Sequence, residues 1–316
     1  MVSAPPLLVL VGPTAVGKTA VAVRLARRLA MEVVSADSRQ VYRGLDIGTG
    51  KPTAAERAAV PHHLLDIVDP TERYHAARFR ADALAVIAAI RARGRLPAVV
   101  GGTGLYVRAL LKGLTPAPPA DPVLRESLEG FATAHGTPAL HARLAAVAPD
   151  SARRLHPNDR VRIVRALEIH AHRAARPGDT GDGDWAGPSG LGRLVMIGLG
   201  RERAVLNRAI AERAHAMLDR GIMGEVTRLL DAGVDPERPP MDGIGYRPLA
   251  LAARGRISTD EALRLMIRDT TRYAKRQMTW FAREAEVRWV DVDAAGGIEG
   301  TAEAVLEQLA QEGLAA

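Results

Sequence analysis

Residues 12 to 19 read Gly12-Pro13-Thr14-Ala15-Val16-Gly17-Lys18-Thr19 and match the P-loop pattern G-x-x-x-x-G-K-[ST]. The pattern directly follows the apolar run Leu7–Val11 and leads into Val21, Leu25 and Leu29, spaced as on one helical face. In a strand–loop–helix context, the backbone N–H groups of such a loop converge on phosphate oxygens at the helix N-terminus. We therefore predict an oligophosphate site, with Lys18 supplying a positive charge and Thr19 a hydroxyl for Mg²⁺.

The alternation of strand-like and helical segments continues beyond this loop and predicts a parallel α/β sheet. A helical segment between two of the strand-like runs carries Phe79, Ala83, Leu84, Ile87 and Ile90 on one face. Strands that alternate with helices lie in a parallel sheet flanked by crossover helices. The predicted strands are Leu7–Val11, Glu32–Ala36, Leu64–Val68, Leu96–Val100 and Leu194–Leu199.

Residues between the last two of these runs have no strand-like pattern and predict an all-helical insertion in a P-loop-kinase-like core. Asp121-Pro122 opens it as a helix N-cap followed by proline at the first helical position. We divide the chain into the first part of the core (1–119), the helical insertion (120–176), a mobile Gly- and Asp-rich loop (177–192), and the completion of the core with C-terminal helices (193–316).

The C-terminal third is predicted to contain a long helix. Ser258-Thr259-Asp260-Glu261 has the capping-box pattern at its start, and the helix should reach about Arg283. Its predicted buried stripe consists of Ile267, Thr271, Ala274, Met278 and Phe281.

Composition indicates a polyanionic partner. The 316 residues include 43 Lys and Arg against 36 Asp and Glu, giving a net charge of +7. Such a balance favours nucleic acid, although an Arg-biased composition without a binding function is the alternative. The absence of Cys excludes disulfides and thiolate zinc sites. No apolar run approaches the roughly 18 to 20 residues that cross a bilayer, and residues 1–6 lack signal-peptide features, so we expect a cytoplasmic protein with no membrane contact.

Most P-loops hold ATP or GTP, but the rest of this core lacks an acidic residue that is usual in enzymes that hydrolyse nucleoside triphosphates. Such enzymes usually place a Mg²⁺-binding acid after a later strand, whereas the run Leu96–Val100 ends in Gly101-Gly102-Thr103. Asp66 and Asp69, beside the predicted strand Leu64–Val68, could substitute. An ATP-dependent nucleoside or small-molecule kinase therefore stays an alternative.

Asp37 follows the second predicted strand, at the sheet edge where parallel α/β folds bind ligands. A carboxylate beside phosphates is electrostatically unfavourable unless it contacts a proton donor, such as an amine that is being alkylated. The alternative is an Asp that caps the following turn. His62 and His63 have no second ligand cluster nearby in the sequence, which favours a structural role over metal binding.

A set of motifs runs in unbroken order from about residue 7 to residue 290. They are Gly12–Thr19, Ser35–Tyr42, Asp46–Thr49, Lys51-Pro52, Pro61–His63, Gly101–Tyr106, His156–Asp159, Gly245–Arg247 and Ala274–Gln277. In this order they resemble the tRNA dimethylallyltransferase family of the bacterial type. The ordered set is far more specific than the P-loop alone.

The resemblance implies that the P-loop, with Mg²⁺, holds the diphosphate of dimethylallyl diphosphate and that no ATP is consumed. Asp37 is implied as the general base, or as a hydrogen-bond acceptor, for the exocyclic amine of the adenosine 3′ of the anticodon. Thr103 is implied to lie near the reacting groups, and Arg213 to stabilise the departing diphosphate. From the residues alone, a solvated position on an Arg-rich helix is the alternative for Arg213. The diphosphate-binding residues implied are Gly12, Pro13, Thr14, Ala15, Val16, Gly17, Lys18 and Thr19, with Thr19 as the metal ligand.

The resemblance also implies contacts with the anticodon stem-loop of tRNA. Arg162 and Arg165 lie three residues apart on a predicted helix, so one face could meet phosphates; pairing with Glu168 is the alternative. The implied tRNA-binding residues are Asp37, Ser38, Arg39, Gln40, Thr103, Arg125, Arg162, Arg165, Asp242, Gly243, Ile244, Gly245, Tyr246 and Arg247.

Two positions depart from the family pattern: Gly50 stands where the family more often has Ala, and residues 178–192 lack the usual polar segment. A non-catalytic RNA-binding protein with a nucleotide-sensing P-loop is the second alternative function. Binding RNA requires none of Asp37, Thr103 and Arg213, so the presence of all three favours an enzyme. We expect this enzyme to be a monomer.

Overall fold

The computed structural model describes residues 6–114, 118, 120–175 and 190–313. Most of the predicted loop at 177–192 therefore lies outside the described residues. The chain forms two compact units, Lys112–Gly187 and the remainder, Met1–Leu111 with Pro188–Ala316. None of the described helices is long and apolar enough to cross a membrane.

The described residues contain strands and helices in the following chain order: β1 (Leu7–Val11), α1 (Lys18–Leu25), β2 (Met31–Ala36), α2 (Ala54–Ala59), β3 (His62–His63), α3 (Ala76–Ala92), β4 (Leu96–Gly101), α4 (Gly104–Lys112), α5 (Pro122–His135), α6 (Thr137–Val147), α7 (Pro149–Arg154), α8 (Arg160–Ala175), β5 (Leu194–Gly200), α9 (Arg203–Asp219), α10 (Ile222–Asp231), α11 (Tyr246–Ala253), α12 (Thr259–Phe281), β6 (Arg288–Asp291) and α13 (Gly297–Gln311).

The larger unit is built on a six-stranded sheet in the order β3-β2-β4-β1-β5-β6. All its strand pairs are parallel. Every residue of β1, β2 and β4 is buried, as expected for strands covered on both faces by helices. One face packs against α3 through Phe79 and Ile87, and the other against α1 through Val21 and Leu25. The predicted parallel α/β fold is confirmed.

One predicted strand, Leu64–Val68, is wrong. The strand in this region is β3, which pairs with Val33 and Val34 of β2. Leu64 and Asp66 have φ angles of 61° and 57°, and this left-handed backbone is incompatible with an extended strand. The short strand β6, three of whose four residues are exposed, was not predicted because it carries no apolar run.

The smaller unit is helical where it is described. Asp121 caps α5, since its Oδ1 accepts the N–H of Leu124 at 3.0 Å, and Pro122 occupies the first turn. The helices α5, α6 and α8 pack around a core that includes Leu128, Leu140 and Ile163.

Candidate active site

Three loops meet at the carboxyl edge of the sheet. They follow β1, β4 and β2, which are neighbours in the strand order, and they carry Thr14, Gly102 and Asp37 respectively. Together with residues of α9 and α12 they line a cavity of about 740 Å³. Adjacent parallel strands present their carboxyl ends on one edge, so residues far apart in sequence share one site.

The P-loop forms the floor of this cavity at the N-terminus of α1. Lys18 Nζ donates to the carbonyl oxygens of Gly12 and Pro13 at 3.0 and 2.7 Å. Desolvation in the cavity lowers the pKa of Lys18 to about 8; Asp37 opposes this shift and Arg213 adds to it. An anion bound here would gain the N–H groups of the helix terminus and the charge of Lys18.

Asp37 uses one carboxylate oxygen to hold its own loop. Oδ1 accepts the backbone N–H groups of Arg39 and Gln40 at 2.8 and 3.2 Å, which is the turn-capping role considered from the sequence. Among the described residues Oδ2 has no hydrogen-bond donor, and Asp37 lines the cavity. The capping therefore fixes the carboxylate while leaving one oxygen able to accept a proton.

Thr103 ties down the backbone on both sides of Asp37. Its N–H donates to the carbonyl of Ala36 at 3.2 Å, and its hydroxyl accepts the N–H of Ser38 at 3.0 Å. Thr103 also interacts with Tyr273 of α12, which lines the cavity. Burial, reinforced by Asp37, raises the pKa of Tyr273 to about 12, so its hydroxyl stays protonated at neutral pH.

Arg213 of α9 contributes a cation to the same cavity rather than to a solvated helix face. Its Nη1 donates to the hydroxyl of Thr14, and its Nη2 to the carbonyl of Thr49, both at 3.4 Å. Desolvation lowers the pKa of Arg213, and the charge of Asp37 opposes that shift. Arg213, Lys18 and Asp37 therefore interact electrostatically.

A loop at residues 46–50 forms one wall of the cavity and is anchored from behind. The buried carboxylate of Glu225 accepts the N–H groups of Asp46, Ile47 and Gly48 at 2.7 to 3.1 Å, and the hydroxyl of Tyr246 at 2.6 Å. Burial, followed by the charge of Glu225, raises the pKa of Tyr246. The phenol of Tyr246 is therefore committed to this anchor.

Gln40 secures the same wall from the front. Its Nε2 donates to the carbonyls of Thr49 and Gly50 at 3.2 Å, and its Oε1 accepts the hydroxyl of Ser35. The polar atoms of a residue predicted to contact tRNA thus bond within the protein.

The segment at residues 242–247 contacts Arg39, in the loop that carries Asp37. Arg39 pairs with Asp242 at 3.0 Å and donates to the carbonyl of Pro240. Gly243 lies against the Arg39 guanidinium, and Gly245 precedes α11. Asp242, Gly243 and Ile244 line both the main cavity and a groove of about 250 Å³.

That groove is lined by three arginines and by two aspartates, Asp242 and Asp269, and Arg272 lies 3.6 Å from Asp269. Arg272 and Arg276 line it from α12, and Arg247 lines it from α11 while pairing with exposed Glu237 at 2.8 Å. The excess of arginine over aspartate in this groove suits an RNA phosphate.

The predicted tRNA-binding arginines of the smaller unit are engaged in ion pairs. Arg125 and Arg165 both pair with the buried carboxylate of Glu168, at 2.5 and 3.4 Å, and Arg162 pairs with Asp159 at 3.5 Å. The Glu168 pairing considered from the sequence is therefore present for Arg165. Two cations against one buried anion leave a net positive charge on this face.

Asp66 and Asp69, considered from the sequence as substitute Mg²⁺-binding acids, and His62 and His63, considered as metal ligands, make other contacts. Asp66 pairs with Lys51 and Arg57, and Asp69 accepts from Thr71. His62 and His63 form β3, and His63 lies 2.6 Å from the buried Glu32.

Comparison with known proteins identifies the family. A model described as "IPP transferase" matches residues 40–284, and one described as "Isopentenyl transferase" matches residues 5–66. The chain is 44% identical to the tRNA dimethylallyltransferase of Desulforudis audaxviator, over 98% of this chain and 99% of that one. It is 50% identical to tRNA dimethylallyltransferase 1 of Syntrophotalea carbinolica, over 91% of each. The chain belongs to the tRNA dimethylallyltransferase family.

Comparison with solved structures also finds members of this family. The full-length tRNA isopentenylpyrophosphate transferase of Bacillus halodurans matches with a TM-score of 0.69 and 40% identity, over 98% of each chain. A eukaryotic dimethylallyltransferase described as acting on tRNA matches with a TM-score of 0.71 and 25% identity, over 91% of this chain and 74% of that one. The predicted membership of a tRNA prenyltransferase family is confirmed.

Three residues of the candidate site were not predicted from the sequence. Tyr273 and Gln277 lie one turn apart on α12 and line the cavity, and Glu225 anchors its wall. Gln277 stood inside a quoted motif, which was a usable signal. Glu225 had no local signal, since the loop that it anchors lies more than 170 residues away in the sequence.

Proposed function

We propose that this enzyme transfers the dimethylallyl group of dimethylallyl diphosphate to the exocyclic amine of the adenosine 3′ of the tRNA anticodon, releasing diphosphate. The observation that carries the proposal is that an oligophosphate loop, a cation and a carboxylate line one cavity: Lys18, Arg213 and Asp37. A phosphate site alone would suit many reactions. A carboxylate with an available oxygen suits one in which a proton is lost.

The chemistry is a displacement at carbon. The lone pair of the adenosine amine forms a bond to C1 of the dimethylallyl group while the bond from C1 to the diphosphate oxygen breaks, and that electron pair leaves with diphosphate. Asp37 Oδ2 takes the proton released by the amine. Lys18, Arg213 and the N-terminus of α1 stabilise the charge that develops on the leaving group.

Mg²⁺ fits the donors at this site. Thr19 offers a hard hydroxyl oxygen beside the phosphate loop, and Mg²⁺ binds to few protein oxygens together with substrate phosphates and water. When bound, the ion would neutralise charge on the diphosphate.

The RNA would be held by the cationic groove at Arg247, Arg272 and Arg276 and by the arginines of the smaller unit. The proposal treats the enzyme as a monomer. Transfer RNA is a cytoplasmic substrate, so the proposed activity belongs in the cytoplasm.

The test is transfer of labelled dimethylallyl diphosphate to tRNA with Mg²⁺ and without ATP. Label should enter RNA, and one diphosphate should appear for each group transferred. A requirement for ATP hydrolysis, or transfer of a phosphoryl group, would instead support a kinase. RNA binding without any transfer would support a non-catalytic RNA-binding protein.

A further inference from the structure

Gln277 is a buried polar residue on a helix face that packing alone would make apolar. It is 6% exposed and lies on α12 between the buried Ala274 and Phe281. The predicted stripe assigned this face to apolar side chains and left Gln277 out. Burying an amide is unfavourable unless it is hydrogen-bonded, so its partners indicate why it is there.

Those partners belong to two different active-site loops. Gln277 Oε1 accepts the N–H of Thr14 at 2.9 Å, and Nε2 donates to the carbonyl of Gly102 at 2.8 Å. Only this orientation of the amide works, because the reverse would set donor against donor and acceptor against acceptor. A Cβ at position 102 would overlap Gln277 Nε2, so the glycine leaves room for this hydrogen bond.

The two loops carry the two halves of the proposed chemistry. The hydroxyl of Thr14 accepts from Arg213 on the leaving-group side. Gly102 precedes Thr103, which bonds to Ala36 and Ser38 on either side of Asp37. A hydrogen-bonded path therefore runs from Arg213 through Gln277 to the loop of the proposed base.

We propose that Gln277 is a positioning residue that sets the distance between the diphosphate-binding half of the site and the half that holds the amine. The inference rests on the proposed function. A displacement reaction needs its nucleophile, carbon and leaving group in line, and a misplacement of about 1 Å can cost about 10²-fold in rate. Affinity for each substrate depends on its own half and should change much less.

The decisive variant is Gln277→Met, which keeps the length of the side chain and removes both hydrogen bonds. Single-turnover transfer at saturating substrates should fall about 10- to 100-fold, while the dissociation constants for tRNA and for inorganic diphosphate change by less than about threefold. Phe281→Leu is the matched control, because it perturbs the same buried face of α12 away from the cavity. It should lower the melting temperature and leave the saturating rate unchanged.

A double-substitution cycle identifies the route of the effect. If Gln277 acts through the loop of Thr103, Gln277→Met should cost much less in a Thr103→Ala background than in the wild type. Equal costs in both backgrounds, a saturating rate unchanged in Gln277→Met, or equal rate losses in Gln277→Met and Phe281→Leu would each overturn the inference and leave the proposed function intact. No transfer by the unsubstituted protein would overturn both.

Discussion

Gly50 leaves the space that the guanidinium of Arg213 occupies. A Cβ at position 50 would overlap Arg213 Nη2, and the φ of Gly50 is 58°, in the left-handed region. The guanidinium reaches Thr49 and Thr14 through this gap. The resembled family more often has Ala at position 50. Glycine at this position therefore affects where the guanidinium of Arg213 can lie.

Gly50→Ala should reduce transfer through Arg213. The guanidinium ends a flexible side chain and can shift, and the resembled family more often has Ala here, so kcat should fall by less than about tenfold. The left-handed backbone should also cost about 1 to 2 kcal/mol of stability. The control is Gly50→Ala in an Arg213→Ala background, where the stability loss should persist and the rate should not fall further. A further rate loss there would contradict this route.

Asp37→Asn should separate binding from chemistry. The amide oxygen can still cap the turn by accepting from Arg39 and Gln40, so the loop should keep its shape. It cannot take the proton of the amine, and single-turnover transfer should fall about 10² to 10⁴-fold with little change in tRNA affinity. A rate within about threefold of wild type would leave Asp37 with turn capping alone.

The fold was predictable because its signals are local. The strands at Leu7–Val11 and Leu96–Gly101 are covered on both faces. Their sequences are therefore continuously apolar, which indicates buried strands. The P-loop is likewise contiguous. The strand predicted at Leu64–Val68 failed because the left-handed backbone at Leu64 and Asp66 leaves no signature in an apolar pattern.

The site was predictable only where one motif carries one role. Asp37 follows a strand, so its place at the sheet edge is set by topology. The anchoring by Glu225 and the bridging by Gln277 join loops that are distant in sequence, and no local pattern gives such pairs. The turn capping and cavity-facing oxygen of Asp37 belong to one carboxylate, which the sequence had presented as alternatives.

Diphosphate affinity should depend on pH through Lys18. Its pKa of about 8 in the free site means that it is protonated below that pH and loses its charge above it. A bound anion raises the pKa, so affinity should be level below about pH 8 and weaken by up to tenfold per pH unit above it. Titration calorimetry with inorganic diphosphate at constant Mg²⁺ measures this. Lys18→Met should bind weakly throughout and lack the step; retention of the same step would assign it elsewhere.

Glu225→Gln should destabilise the wall of the cavity. The carboxylate accepts four hydrogen bonds, and an amide would turn its NH₂ group towards backbone N–H donors. The free energy of unfolding should fall by about 2 to 4 kcal/mol. Tyr246→Phe removes one donor and should cost about 1 kcal/mol. Urea denaturation of both variants gives the comparison, and equal losses would contradict the anchoring role.

The arginines of α8 should respond differently to substitution. The Arg162 side chain is 61% exposed and its partner lies near the helix start, so it is available for an RNA phosphate. Arg162→Ala should lower the slope of log affinity against log salt by about 0.7 to 0.9 without changing stability. Arg165 instead pairs with Glu168, whose side chain is 2% exposed. Arg165→Ala should therefore destabilise the protein by about 1 to 3 kcal/mol.

Salt titrations of tRNA binding beside urea denaturation of each variant separate the two roles. An unchanged salt slope in Arg162→Ala would remove that residue from the RNA contacts. A reduced slope with unchanged stability in Arg165→Ala would mean that Arg125 alone satisfies Glu168 and that Arg165 serves the RNA. The ion pair at Glu168 would then be a resting contact of the smaller unit, exchanged for phosphate when tRNA binds.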